Sequence, residues 1–206
     1  MAELEESFPL FPLGLVLLPS EVVPLHIFEE RYRTMIGRCL QEESDFGIVW
    51  MADDGLREIG CAAHVAQVLE RMEDGRMNIL AQGGRPFQLL RRVEELPYPA
   101  GDVEFLDDDD AEPDPGLAGE ARERYADLVQ HVTDERPTEE QLEGLDAYGM
   151  AATIELAPEP KQALLEERSE NARLRTVADL FGVALQRLEK AEEAQETARS
   201  NGKVRF

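Results

Sequence analysis

The 206-residue sequence carries 44 acidic and 21 basic side chains, for a net charge of −23. That length provides for one full hydrophobic core, or one core with a smaller packed extension. A field of that sign repels phosphate backbones and anionic lipid surfaces, which argues against a nucleic-acid footprint and against a charge-held membrane protein.

The first element is an uncharged run from Phe8 to Pro19. It does not have the form of an export signal, because Glu3, Glu5 and Glu6 precede it and the first arginine is Arg31. Pro9, Pro12 and Pro19 would break a helix, and the run falls short of the roughly 20 apolar residues that span a bilayer. It is therefore expected to be folded structure in a cytoplasmic protein: strands over Phe8 to Leu13 and Val22 to Leu25, joined by an apolar connection, Gly14 to Ser20, that packs down.

From Glu29 to Glu42 the pattern changes, with Tyr32, Met35, Ile36, Cys39 and Leu40 at helical spacing and acidic residues at the start, where the helix dipole favours them. A strand over Phe46 to Met51 follows, then a turn at Asp53-Asp54-Gly55. Ile59 to Glu70 and Arg76 to Ala81 flank Glu73-Asp74-Gly75, and Asp-Gly between β-like runs marks a hairpin. Gly83-Gly84-Arg85-Pro86 is expected to turn the chain again, before strands over Phe87 to Val93 and Asp102 to Leu106. Short, mostly antiparallel strands in such number point to a barrel or a strongly curved sheet.

Between Asp102 and Asp114 eight of thirteen residues are acidic. The alternating ligands, central glycine and distant glutamate of a calcium loop are missing, so a solvated linker is expected there. Helices follow: Leu117 to Val132; one from the capping box of Thr138 and Gln141 towards Ile154; Lys161 to Glu167; and a last from near Ser169. The last carries Leu174, Val177, Ala178, Phe181, Leu185 and Leu188 on one face, too few heptads for a sustained coiled coil, and it is expected to fray after Lys190. The division is then 1–106 for the β part, 107–116 for the linker and 117–206 for the helical part, an α+β chain.

Chemistry-bearing residues are sparse. Cys39 and Cys61 show no metal spacing and are expected to be buried and reduced. His64 follows Cys61 by three residues, which on a regular strand puts it on the opposite face, against a Cys-His pair. His26 and Glu29 would need further converging ligands to hold a metal. None of the three lysines, Lys161, Lys190 and Lys203, stands in a phosphate-cradling G-x-x-x-x-G-K-[ST] loop. No cofactor, metal or catalytic residue is expected.

Phe8 to Leu13 (FPLFPL), Leu17 to Ile27 (LLPSEVVPLHI), Phe28 to Tyr32 (FEERY), Ile59 to Leu69 (IGCAAHVAQVL) and Met77 to Gly83 (MNILAQG) resemble the N-terminal domain of Lon proteases. The resemblance extends to stand-alone bacterial versions of that domain, without ATPase and peptidase modules. Pro160 to Glu167 (PKQALLEE) and Ala172 to Leu180 (ARLRTVADL) are similar to the helices that follow it. It implies a PUA-like β domain with an inserted helix, followed by a helical subdomain.

The resulting expectation is a non-catalytic module that binds unfolded or hydrophobic polypeptide segments and assists a protease or chaperone, as a monomer or weak homodimer. Its contacts are expected at Leu17, Leu18 and Pro19 and at His26, Phe28, Arg31 and Tyr32, beside an edge strand. Two alternatives stand beside it. One is an RNA-associated PUA-like protein, since PUA-like folds elsewhere bind RNA; it asks for a basic stripe, of which the best local one is Arg85, Arg91 and Arg92. The other is an enzyme with a small-molecule pocket between the β and helical parts.

Overall fold

The computed structural model describes residues 3–109 and 112–201, with side chains described as far as Ala194. The chain packs as two compact units. The first comprises the chain as far as Ala111 together with Ala151–Ser169; the second comprises Glu112–Met150 and the segment from Glu170 onward. Assigning everything after residue 116 to a helical part does not anticipate that Ala151–Ser169 packs with the strands.

The first unit holds six strands, β1 (Leu4–Leu13), β2 (Val22–Ile27), β3 (Phe46–Ala52), β4 (Gly55–Arg71), β5 (Met77–Val93) and β6 (Ala100–Phe105), with one helix, α1 (Glu30–Glu42), inserted in the chain between β2 and β3. The sheet order is β2-β5-β4-β3-β1-β6, and a further β5–β6 pairing closes five of the strands into a ring. β1 and β3 run parallel, from Leu10 opposite Gly47 to Leu13 opposite Trp50, and the other pairs are antiparallel. This is the α+β, mostly antiparallel curved sheet that the sequence pattern describes. Inside the ring Phe8 meets Phe87 and Phe105 edge-on, with centroids at 5.6 and 5.8 Å. Leu10, Val49 and Val103 fill the space around them. Burying each such side chain contributes roughly 1.5–3 kcal/mol.

Gly83-Gly84-Arg85-Pro86 does not reverse the chain. β5 runs through it, using Met77 to Gln82 against β2 and Phe87 to Val93 against β6. Opposite Cys61 to Ala63 of β4, β5 advances from Pro86 to Gly83, one residue more, and such a bulge bends a strand without ending it. The hairpin at Asp74-Gly75 forms as expected: Gly75 has φ 85°, and Met72 N–H donates to Arg76 O at 2.8 Å.

Between β1 and β6 another bulge falls between Glu5 and Phe8, with Ser7 at φ 57° and its N–H donating to Asp102 Oδ1 at 3.1 Å. Arg91 Nη2 donates to Asp102 Oδ2 at 2.7 Å. The Arg91 guanidinium, and after it the Ser7 amide, hold the Asp102 carboxyl below the usual range. A lowered folded-state pKa stabilises the fold fully above the unfolded value of about 4, and that stability is lost as pH falls through the folded pKa. The Asp102→Asn variant is therefore expected to flatten the acid limb of the stability curve below about pH 4, while the native chain keeps its slope. Thermal unfolding across that range checks it.

The Asp102 to Asp114 stretch is more tied down than a solvated linker. Arg85 Nη2 donates to Asp107 Oδ1 at 3.0 Å, Arg168 Nη2 to Asp107 O at 2.8 Å, and Asp109 N–H to Arg168 O at 2.9 Å. Asp110 lies outside the described residues. Asp114 caps α2 (Pro115–Thr133), its carboxylate accepting from the Gly116 and Leu117 amides at 2.8 and 3.0 Å.

In the second unit the capping box of Thr138 and Gln141 is formed, yet its helix α3 (Glu139–Glu143) stops at Gly144. The chain restarts as α4 (Ala147–Ala151), with Asp146 Oδ1 accepting the Gly149 amide at 2.6 Å. The Leu145 carbonyl between them accepts from Arg122 Nη2 at 2.9 Å, which accounts for two short helices where periodicity gave one. α5 (Pro158–Glu166) belongs with the strands. The last helix, α6 (Glu170–Asn201), continues past Lys190, because Ala191 to Arg199 is made largely of strong helix formers. α6 packs on α2, with Tyr125 and Phe181 rings 5.7 Å apart and Leu174, Val177 and Ala178 buried. Among the described residues, no helix is long and apolar enough to cross a membrane.

Candidate functional site

The expected contact residues separate into two groups. Leu17 and Leu18 are 1% and 0% exposed, so the apolar connection turns them into the core and they offer nothing to a partner. Pro19 is half-buried beside them. The second group does converge: His26, Phe28, Arg31 and Tyr32 line one cleft of about 390 Å³ with Phe11 and Leu13, where β2 runs into α1.

Strand alternation sets the roles along β2. Leu25 and Ile27 point inward, while Pro24 and His26 point to solvent. Phe28, at the exit of the strand, is 58% exposed and stacks on His26 with centroids 5.7 Å apart. Asn78 Nδ2 donates to Glu70 Oε2 at 3.0 Å, so Asn78 Oδ1 faces His26 and accepts from Nδ1 at 2.6 Å. The His26–Asn78–Glu70 row thus crosses three strands and fixes the imidazole on which Phe28 rests. Tyr32 forms the wall: it is buried against Phe11, ring to ring at 4.2 Å, and burial pushes its hydroxyl up. Arg31 closes the rim, its guanidinium 4.6 Å from the Tyr32 centroid and bonded to Glu29 at 2.9 Å. His26 and Glu29 are therefore directed to different partners and do not converge as ligands.

On the other side of His26 a second hollow continues over Pro24, Leu69, Glu70 and Asn78. Leu69 is 51% exposed there, and Val22 is also exposed at the start of β2. β2 ends the strand order, so among the described residues its outer edge meets no strand. Leu69 and Asn78 were not among the expected contacts. The Asp74-Gly75 hairpin fixes the pairs Arg71↔Met77 and Glu70↔Asn78, which a reader of the turn can count back to; the pairing of β2 with β5 has no local signal.

Cys61 is buried while His64 is exposed, and burial pushes the Cys61 thiol far up. Of the stripe Arg85, Arg91 and Arg92, the first bonds Glu3 at 2.6 Å and Asp107 at 3.0 Å, and the second bonds Asp102. Among the described residues no group of three His, Cys, Asp or Glu side chains is placed to hold a metal ion.

Residues 7–181 match the model of the ATP-dependent protease La (LON) substrate-binding domain. The chain is similar to the Lon protease of Paraburkholderia phytofirmans, 27% identical over 213 aligned positions, covering 95% of this chain and 26% of that protein. It is also similar to Lon protease 1 of Hydrogenovibrio crunogenus, 24% identical, covering 86% of this chain and 24% of that one. It thus spans about a quarter of the length of these relatives. Among solved structures, the Lon N-terminal domain protein from Xanthomonas campestris superposes with a TM-score of 0.64 at 24% identity, over 83% of this chain and 96% of that one. The N-terminal domain of the Mycobacterium avium complex Lon protease gives 0.65 at 23%, over 86% and 98%. The fold is shared with both structures, and the family model covers most of the sequence. The chain belongs to the Lon substrate-binding domain family.

Proposed function

We propose that this protein is a non-catalytic module of the cytoplasm that binds unfolded or hydrophobic polypeptide segments and passes them to a protease or chaperone. The observation that carries the proposal is the surface around β2: an exposed Phe28 braced by His26, an apolar cleft beside it, exposed Leu69 and Val22, and a strand edge that meets no partner strand among the described residues. An extended segment laid along β2 gains main-chain hydrogen bonds, and its alternate side chains meet the cleft and Leu69. Pro24 withholds one backbone donor from the strand, which limits indiscriminate pairing and leaves side-chain contact to supply much of the affinity.

The test is fluorescence anisotropy with a labelled, permanently unfolded model polypeptide. Phe28→Asp is expected to weaken binding about tenfold or more, as loss of an aromatic anchor does. Because Phe28 is a surface residue, its stability change should stay within about 0.5 kcal/mol. Equal affinity of native and variant chains for the polypeptide would remove the β2 surface from the proposal. A labelled single-stranded RNA is expected to bind neither chain at physiological salt, given a net charge of −23.

A further inference from the structure

A second cleft, of about 430 Å³, opens at the mouth of the barrel on the other side of Arg31. Its walls are Leu56 of β4, Val93 of β5 and Leu96 and Pro97 of the β5–β6 connection, with Met51 of β3 47% exposed on its rim. Two guanidiniums, Arg31 and Arg92, and one carboxylate, Glu94, border it. In a chain with about twice as many acidic as basic residues, two guanidiniums on one cleft stand out from the surrounding acidic surface.

The two arginines are not equivalent. Arg31 is held by Glu29 and the Tyr32 ring. The Arg92 side chain is exposed and makes no ion pair or hydrogen bond among the described residues, whereas that of its neighbour Arg91 is bound to Asp102. The cleft therefore presents one available cation next to an apolar hollow in the mouth of a barrel, a usual place for a ligand.

We infer that this cleft binds the C-terminal residue of a polypeptide, with the α-carboxylate on Arg92 and an apolar last side chain in the hollow. A chain end carries its carboxylate and side chain on the same carbon, which suits one cation at the edge of one apolar hollow. An internal apolar segment has no charge to offer Arg92. A carboxylate rich in further acidic residues is opposed by Glu94 and by the net charge of the protein. The guanidinium fork donates to both carboxylate oxygens, a geometry that an amide cannot match. This cleft shares the Arg31 wall with the one beside β2, but Arg92 and its apolar lining lie outside that one, and the inference does not rest on binding at β2.

The experiment compares two short labelled peptides ending in leucine, one a free acid and one a C-terminal amide, by fluorescence anisotropy. The native chain is expected to bind the acid about tenfold more tightly than the amide, the lower end for a charge-assisted hydrogen bond. Arg92→Gln should bring the acid to the affinity of the amide, and Met51→Glu should weaken the acid more than the amide. Phe28→Asp should leave the difference between acid and amide intact, so failure of the β2 proposal stays distinguishable from failure here. Equal affinity of acid and amide, a preference that survives Arg92→Gln, or no measurable binding of either peptide would overturn the inference.

Discussion

Replacing Gly83 by alanine is expected to destabilise the first unit by about 3 kcal/mol or more, the upper range for overpacking a close contact. A Cβ at Gly83 would lie 2.1 Å from the carbonyl oxygen of Leu18 and 2.9 Å from its carbonyl carbon, both backbone atoms that no rotamer change can move aside. The approach is close because the connection from β1 to β2 is bonded directly to this residue. Ser20 N–H donates to Gly83 O at 2.9 Å, and Gly83 N–H donates to Glu21 O at 2.8 Å. Relieving the clash means lifting the connection off β5, which breaks both bonds and exposes the buried Leu17 and Leu18. Urea unfolding followed by the fluorescence of Trp50, which lies on β3 in the same unit, measures the change. A matched Gly14→Ala variant, where a Cβ meets nothing within 4 Å, is the control and should move the midpoint little. Equal midpoints for the two variants would show that the connection does not bear on β5 as described.

This contact also shows which parts of the structure the sequence discloses. Runs of one period announced most strands, the inserted helix and the Asp-Gly hairpin, because each rests on neighbours within a few residues. The same logic read Gly83-Gly84-Arg85-Pro86 as a turn, since glycine and proline commonly punctuate the chain. Here the glycine serves a contact with Leu18, distant in sequence, and the extra residue is taken up by a bulge. The apolar run suits a packed connection, but no local pattern separates a buried leucine such as Leu17 or Leu18 from one that meets a partner. His26, Phe28, Arg31 and Tyr32 lie close together in sequence at a strand-to-helix junction, so their convergence was legible. Asn78, Leu69 and Arg92 reach their clefts through strand pairing across the barrel. Only register places them, and register between β2 and β5 or between β5 and β6 leaves no mark in either segment.

Lys161→Met is expected to cost about 3–5 kcal/mol, the range for stranding one member of a buried ion pair. Lys161 of α5 bonds Glu21, at the end of the apolar connection, and their side chains are only 12% and 11% exposed. Glu21 also accepts the Leu18 amide on its other oxygen at 2.9 Å, so one carboxylate fastens α5 to the same segment that is bonded to Gly83. Without the lysine a carboxylate remains in a site with little water, its charge answered by a single amide. The double variant Glu21→Gln with Lys161→Met tests that cause: it removes the stranded charge, while the glutamine carbonyl can still accept from Leu18. It is therefore expected to unfold at higher urea than Lys161→Met alone. If the double variant were the less stable of the two, the loss would lie in the packing of the lysine stem against the strands, and the ion pair would be incidental. Because Gln162, the next residue, donates to the Ile59 carbonyl on β4 at 3.2 Å, α5 keeps a second attachment in both variants. The comparison then isolates the charge at Glu21, and with it how the apolar connection is held between the barrel and the helix that returns to it.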